Sequence, residues 1–320
     1  MTALRAARML DVRTGNVVQN AVVIVEGEQI KAAGANVAVP AGARVIDLGN
    51  MMLLPGLIDS HTHLLQNYEA RHGGDDPNMV LTVATMSAAR RALLGAAMGR
   101  EEIEAGITSV RDVGNSGWNG DVALRDAIAA GWVEGPRMFV STRALAAAGG
   151  QFGGLAPEAQ GLIAQEYAVV SGVEEARRAV RQAFYDGADL IKVIVNTGPR
   201  VLSLEEMRAI VEEATRVGKR VAAHATNDLS TRIAAQAGAS SIEHGYRIPD
   251  DVLRMMAEKG IFLVPTDYPA EFYAEMLAPP GATPEARQRR LEGARASAWA
   301  RSSPESWPTS SRWTAIRCGT

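Results

Sequence analysis

Apolar and polar positions follow two different patterns along the chain, and the change falls near residue 53. In residues 1–52, apolar runs such as NAVVIV are separated by short Gly-containing turns, and no helical period is visible. Runs of this kind bounded by turn residues are typical of β-strands. The pattern predicts a small β-domain over residues 1–52.

From residue 53 onward, apolar strand-like runs alternate with segments of helical spacing. The strand-like runs are LLPGLIDSHTH, ITSVRDVG, PRMFVST, DLIKVIV, RVAAHA, SSIEHG and IFLVPT. The helical segments are predicted over 77–106, 120–131, 172–187, 203–218, the residues leading to 238, and 249–260. Such alternation with apolar strands favours a parallel α/β barrel over a sandwich, and we place this barrel at residues 53–298.

Residues 144–166 follow the third predicted strand and are rich in Gly and Ala. The loops that follow barrel strands carry the chemistry of such folds. We therefore interpret this segment as an active-site loop, with a surface loop of no catalytic role as the alternative.

Residues 299–320 do not continue the strand–helix alternation. The segment WARSSPESWPTSSRWTAIRCGT contains three of the five tryptophans and the single cysteine, Cys318, and has neither helical nor strand period. An eighth strand and helix belong at this position of a barrel, and the pattern does not show them. The sequence therefore predicts a barrel that is incomplete at its eighth strand, followed by an irregular tail, as a truncated or frameshifted reading frame would produce.

Composition narrows the class of protein without identifying its chemistry. The chain has 320 residues, is 47% hydrophobic and 22% charged, and carries a net charge of −3, which gives no reason to expect nucleic-acid or membrane partners. We find no signal-peptide pattern and no run of 18 apolar residues. A single cysteine fits a reducing compartment, so we expect a cytoplasmic protein. A homo-oligomer remains open.

Four of the five histidines fall at the ends of predicted strands. His61 and His63 end the first strand, where side chains two residues apart point the same way. His224 ends the fifth strand and His244 the sixth, whereas His72 lies in a polar loop. Strand ends meet at one rim of a barrel, so four imidazoles there predict a metal centre. A chance His-x-His in a loop and ordinary core histidines are the alternatives.

Lys192 lies in the middle of the apolar fourth strand, DLIKVIV. An unpaired ammonium group is costly in such surroundings. One interpretation is a side chain that extends its amine to the rim. The other is an amine of lowered pKa that reacts with carbon dioxide and becomes a carboxylate bridging two metals. The neighbouring histidines favour the second interpretation.

Taken together, these residues resemble the amidohydrolase superfamily, over Met1 to about Tyr268. PGLIDSHTHL is similar to the first-strand motif of that family, Lys192 to its bridging lysine, and His224 and His244 to its fifth- and sixth-strand ligands. TSVRDVG, GPRMFVSTRAL and IEHG resemble the branch of imidazolonepropionase-like and Xaa-Pro dipeptidase-like enzymes.

The resemblance implies a (β/α)8 TIM barrel, a β-sandwich built from both chain ends, and two divalent metals, usually zinc. It implies that His61 and His63 hold one ion, that His224 and His244 hold the other, and that carboxylated Lys192 holds both. The implied reaction is hydrolysis of the amide bond of a dipeptide or N-acyl amino acid by a metal-bridging hydroxide. A cyclic-amide hydrolase or deaminase of the same fold, and a catalytically impaired metal-binding remnant, are the alternatives.

Two departures from the family pattern bear on catalysis. The family has an Asp after its eighth strand, and no residue of this sequence matches it. Asp267, after the seventh predicted strand, is the nearest candidate, and we interpret it as a loop residue. Relatives often carry GGH after the third strand, where this chain has GGQ. We expect Gln151 to bind substrate without acting as an acid, and Tyr246 to be a second substrate-binding residue. Metal binding is expected to survive better than catalysis.

Overall fold

The computed structural model describes residues 1–68, 75–246, 248–266, 282–289 and 291–292. The chain divides into two compact units, Met1–Leu57 and a second that begins at Ile58. His72, Asp267 and the predicted irregular tail at 299–320 lie outside the described residues. No helix in the described part of the chain is long and apolar enough to cross a membrane.

The first unit is a five-stranded sheet. Its strands are β1 (Thr2–Asp11), β2 (Asn16–Glu26), β3 (Gln29–Ala35), β4 (Arg44–Asp47) and β5 (Met52–Leu53). β1 pairs antiparallel with β2 and parallel with β4 and β5, and β3 pairs antiparallel with β2. Ala3, Val22 and Ile24 form a small buried cluster on it. A second sheet is not found within residues 1–57, so the sandwich built from both chain ends stays a prediction.

The second unit alternates strands and helices, as the hydrophobic pattern predicts. Its strands are β6 (Leu57–Thr62), β7 (Ile107–Asp112), β8 (Arg137–Val140), β9 (Ala144–Ala146), β10 (Tyr167–Val169), β11 (Ile191–Ile194), β12 (Asn196–Thr197), β13 (Arg200–Val201), β14 (Val221–Ala225), β15 (Ser241–His244) and β16 (Phe262–Val264). Its helices are α1 (Asp75–Thr85), α2 (Ala88–Glu104), α3 (Gly120–Ala129), α4 (Ile163–Glu166), α5 (Val173–Tyr185), α6 (Leu204–Thr215), α7 (Asp228–Ala237) and α8 (Asp250–Lys259), with a 3-10 helix over Pro157–Leu162.

These strands form two main sheets. One has the order β6-β7-β8, and the other has the order β10-β9-β11-β14-β15-β16. Every pairing in the second sheet is parallel, as is the pairing of β7 with β8. Helices α5 to α8 connect consecutive strands of the larger sheet, which is the crossover arrangement that parallel strands require. The α/β class predicted from the sequence is confirmed.

The largest buried core lies between the strands of the second sheet and their helices. Val193, Ala223 and Ile242 come from three neighbouring strands, and Ile210 and Met256 come from α6 and α8. All five side chains are fully buried. Strands of this kind bury apolar side chains against helices, which explains their near-continuous apolar sequence.

One predicted helix is wrong in detail. The segment over 77–106 is not one helix but two, α1 and α2, because the Ser87 side chain accepts a hydrogen bond from the backbone N–H of Arg90 and begins a new helix. The segment over 144–166, interpreted as an active-site loop, also contains regular elements: it starts with β9, which pairs with β11, and ends with α4. At the start of α6, Ser203 and Glu206 form a capping box, in which each side chain accepts a hydrogen bond from the other residue's backbone N–H.

Candidate metal centre

The four histidines predicted at strand ends lie together. The ring centroids of His61 and His63 are 5.2 Å apart, those of His61 and His244 are 5.0 Å apart, and those of His224 and His244 are 4.5 Å apart. They come from the carboxyl ends of β6, β14 and β15, or from the residue just after the strand. The tertiary structure therefore brings together imidazoles that are as much as 183 positions apart in the sequence.

Two of these rings are oriented by acceptors that leave only one tautomer possible. Nδ1 of His61 lies 2.7 Å from Oε2 of Glu243, and Nδ1 of His63 lies 2.9 Å from the carbonyl oxygen of Gly114. A carboxylate and a carbonyl only accept, so each Nδ1 carries the proton and donates it. The lone pair of each ring is then on Nε2, which is the arrangement found in metal-binding histidines.

The other two rings contact side chains. Nδ1 of His244 lies 2.7 Å from Oγ1 of Thr266, whose hydroxyl donates to the carbonyl oxygen of Pro265 and therefore accepts from the imidazole. Nδ1 of His224 lies 3.4 Å from Nε2 of Gln151. Each of the four histidines thus has a partner on Nδ1.

Burial keeps these imidazoles neutral at neutral pH. Desolvation, with the nearby charge of Lys192 as the second cause, lowers the pKa of His63 to about 4 and that of His224 to about 3. Desolvation and the neighbouring His224 lower the pKa of His244 to about 2, and desolvation holds the pKa of His61 well below its usual value. Neutral imidazole is the form that can bind a metal.

Lys192 lies on β11, close enough to the histidines for its charge to lower their pKa values, and is 2% exposed. Desolvation lowers the pKa of its amine to about 8, while the charge of Glu243 raises it and that of Arg111 lowers it. With a pKa near 8, about a tenth of the amine is uncharged at pH 7, far more than for an ordinary lysine. That free amine is what reaction with carbon dioxide requires.

The chemistry of the donor set fits divalent metals. In the described part of the chain, no group of three or more His, Cys, Asp or Glu residues could by itself hold an ion. This agrees with the ligands predicted from the sequence, which give each ion only two histidines. The predicted third ligand of each ion is a carboxylated Lys192, which is not a His, Cys, Asp or Glu residue. Because tight sites need three or more protein ligands, unmodified Lys192 leaves each pair of histidines short of one donor.

Gln151 and Tyr246, the two expected substrate-binding residues, both lie beside the histidines. Gln151 contacts His224, and its Oε1 accepts a hydrogen bond from the hydroxyl of Tyr167 at 3.3 Å. Tyr246 is 38% exposed, and its ring centroid is 5.8 Å from that of His244.

Sequence reasoning missed three residues that support the histidines. Glu243 accepts a hydrogen bond from His61, and the carbonyl of Gly114 accepts one from His63. Oδ2 of Asp112 accepts from the backbone N–H of Leu64, the residue after His63, at 2.7 Å. For Glu243 a signal existed, because a charged residue inside an apolar strand is the same pattern that identified Lys192. Gly114 acts through its backbone, which leaves no comparable trace in the sequence.

Comparisons with known proteins agree with this arrangement. Residues 52–295 match the sequence pattern of the Amidohydrolase family. Ochratoxinase from Aspergillus niger is 32% identical over 241 residues, which cover 67% of this chain and 48% of the relative. The chain therefore spans about half the length of this curated relative.

Solved structures extend the likeness to three dimensions. A Xaa-Pro dipeptidase crystallised with methionine bound in its active site matches with a TM-score of 0.76 at 28% identity, over 92% of this chain and 74% of the other. A prolidase complexed with N-methylphosphonate-L-proline matches with a TM-score of 0.75 at 28% identity, over 93% of this chain and 74% of the other. The shared fold is of the TIM-barrel type.

Proposed function

Because the chain belongs to the amidohydrolase family, we propose that it is a metal-dependent hydrolase that cleaves the amide bond of a dipeptide or N-acyl amino acid. The observation that carries the proposal is the cluster of four neutral imidazoles close to a buried lysine of lowered pKa. Ordinary core histidines would not need to converge on one point of a barrel from three separate strands.

In this proposal the residues of the chain hold and orient the reacting groups. His61 and His63 form one binding pair, His224 and His244 form the other, and carboxylated Lys192 joins both. Bound divalent ions, with zinc the best match to imidazole donors, supply a Lewis acid for the substrate carbonyl and an ionisable water near neutral pH. Gln151 offers an amide to the substrate beside His224.

We assign the proton relay to none of the described residues. Two buried acidic residues of the site, Glu243 and Asp112, already accept several hydrogen bonds each and hold other groups in place. The loss of a positioned acid or base typically costs about 10²–10⁴-fold in rate. Turnover is therefore proposed to depend on an acid outside the described residues.

The substrate class is supported by what the related structures contain. The dipeptidase has methionine bound in its active site, and the prolidase binds an N-phosphonyl derivative of proline. Both ligands contain an amino acid, methionine in one and proline in the other. We therefore propose that this site takes a small substrate with an amino acid on the leaving side of the amide.

The test combines metal analysis with three assays on the same preparation. Protein expressed with added zinc and bicarbonate should contain close to two divalent ions per chain and hydrolyse members of a dipeptide and N-acyl amino acid panel. Ring opening of cyclic amides or release of ammonia, without dipeptide cleavage, would show the alternative reaction. Two bound ions without any turnover would show a metal-binding remnant, and no bound ion would refute the metal centre itself.

A further inference from the structure

Glu243 links three strands of the second unit. Its side chain is fully buried on β15. Its Oε1 accepts from Nη2 of Arg111 at 2.7 Å and from Oγ of Ser241 at 2.5 Å, and its Oε2 accepts from Nδ1 of His61 at 2.7 Å. One carboxylate therefore joins β15 to β7 and to the strand that carries His61.

Arg111 is itself fixed by the groups around it. Its Nε donates to the carbonyl oxygen of Ser60 at 2.6 Å, and its Nη1 donates to Oγ of Ser241 at 3.0 Å. Ser60 directly precedes His61, so the arginine holds the backbone of the same strand end whose imidazole Glu243 holds. A buried carboxylate is costly unless it is paired and hydrogen-bonded, and here both oxygens have donors.

We propose that Glu243 and Arg111 are positioning residues that fix His61 in the tautomer with the proton on Nδ1 and the lone pair on Nε2. Arg111 and Ser241 both donate to Oε1 of Glu243, so Oε2 is the carboxylate oxygen that accepts from the His61 ring. The statement about the tautomer stands on this geometry, whereas its consequence for metal affinity rests on the proposed function.

The substitution Glu243→Gln is predicted to change the tautomer of His61. Its single oxygen is needed by the two donors Arg111 and Ser241, which turns its NH2 group towards His61. An NH2 group can only donate, so Nδ1 of His61 must then accept and the proton must move to Nε2. The substitution keeps the size of the side chain but reverses the tautomer and removes the lone pair from Nε2.

The first experiment measures the tautomer in the metal-free protein. The chain has five histidines, so selective 15N-histidine labelling gives a simple long-range 1H–15N spectrum, in which His61 is assigned from the signal lost in His61→Gln. We expect a protonated Nδ1 in the wild type and a protonated Nε2 in Glu243→Gln. A wild-type His61 protonated on Nε2, or a tautomer unchanged by the substitution, would overturn the proposal. The wild-type spectrum remains a test even where the variant fails to fold.

The second experiment measures zinc affinity by competition with a chromophoric chelator. Glu243→Gln should weaken binding by about 10–100-fold, the usual effect of losing such a partner, and Arg111→Met should weaken it in the same direction. Glu213→Gln is the matched control, because Glu213 is also a buried carboxylate paired with arginines, Arg181 and Arg216, but lies on α6 away from the histidines.

The outcomes separate this proposal from the proposed function. A wild type that binds no zinc but shows the expected tautomer switch refutes the proposed function and leaves the positioning relationship intact. A wild type that binds zinc, with Glu243→Gln binding equally well, refutes the positioning role. Equal losses of affinity in Glu243→Gln and Glu213→Gln would attribute the effect to general destabilisation and would also refute it.

Discussion

Nδ1 of His63 donates to the carbonyl oxygen of Gly114 at 2.9 Å, so the loop after β7 orients a candidate ligand that follows β6. Gly114 has a φ of +104°, a backbone conformation that L side chains rarely adopt. A Cβ at this position would be 3.7 Å from Cβ of Ala144, which is ordinary contact. The glycine is therefore required by its backbone angle and not by lack of space.

Gly114→Ala should strain this loop and move the carbonyl that holds His63. We expect a loss of stability of about 1–3 kcal/mol, as for other strained backbone positions, together with about 10-fold weaker zinc binding. Thermal unfolding and zinc competition measure the two effects. Gly106→Ala is the control, because Gly106 also has a positive φ, +85°, but has open space around it and lies after α2. Equal losses of zinc affinity in both variants would contradict the role of Gly114.

Lys192→Ala should lose the third donor of both histidine pairs. We expect the bound metal to fall from about two ions per chain to substoichiometric amounts, because each pair alone lacks the three protein ligands that tight binding needs. Short carboxylic acids such as formate or acetate should restore part of the binding by replacing the bridging carboxylate. Elemental analysis after dialysis, with and without bicarbonate, measures this effect. Lys259→Ala, which alters a lysine bound to backbone carbonyls near the end of α7, should bind as the wild type does. Unchanged metal content in Lys192→Ala would show that the lysine is not a ligand.

Asp112→Asn should change how stability depends on pH. Burial, and secondly the charge of Asp121, raises the pKa of Asp112 from 3.8 to about 8. Between these two values the folded protein keeps a proton that the unfolded chain loses, so the stability from this group falls as pH rises and is lost above about 8.

An asparagine cannot ionise. The free energy of unfolding of the variant should therefore rise relative to that of the wild type across this pH range, by at most about 1.4 kcal/mol per pH unit. Chemical denaturation at several pH values measures the difference, and Asp126→Asn, at an exposed carboxylate of α3, is the control. A difference between Asp112→Asn and the wild type that is constant from pH 3.8 to about 8 would contradict the raised pKa.

The absence of the eighth strand of the barrel remains a prediction from the sequence. Within the described residues, β16 pairs with β15 and β6 with β7, and no strand joins β16 to β6. Leu57, Ile58 and Phe262 on these two strands are 44–55% exposed. Unpaired strand edges with apolar side chains favour aggregation.

A chain whose sequence after about residue 295 is replaced by a strand ending in Asp should therefore unfold at a higher temperature and aggregate less. It should also gain about 10²–10⁴-fold in dipeptide hydrolysis, because the added Asp supplies a positioned acid. A variant with the same strand ending in Asn separates the two effects, since it restores pairing without the acid. Equal hydrolysis by the 320-residue chain and the restored chain would show that another residue relays the proton, with Asp267 as the first candidate.

The elements of the second unit could be predicted because their sequences carry local signals. The apolar strands, the Gly residues that end helices and the Ser203–Glu206 capping box act within a few residues, and the structure has elements at those positions. The prediction of one helix over 77–106 was wrong because the helical spacing continues through Met86 and Ser87. A single side-chain cap at Ser87 decides that the helix begins again there.

The sequence by itself determined the α/β class, the family and the candidate ligands, because strand periodicity and the His-x-His spacing are properties of neighbouring residues. Only the tertiary structure decided which ring nitrogen of His61 and of His63 carries the proton. That choice depends on Glu243 for His61 and on the Gly114 carbonyl for His63, which are far away in the sequence. The tertiary structure also lowers the pKa of the Lys192 amine, because the strands on either side of β11 bury it. Hydrogen bonds and desolvation act through space, so they are fixed only once the strands have come together.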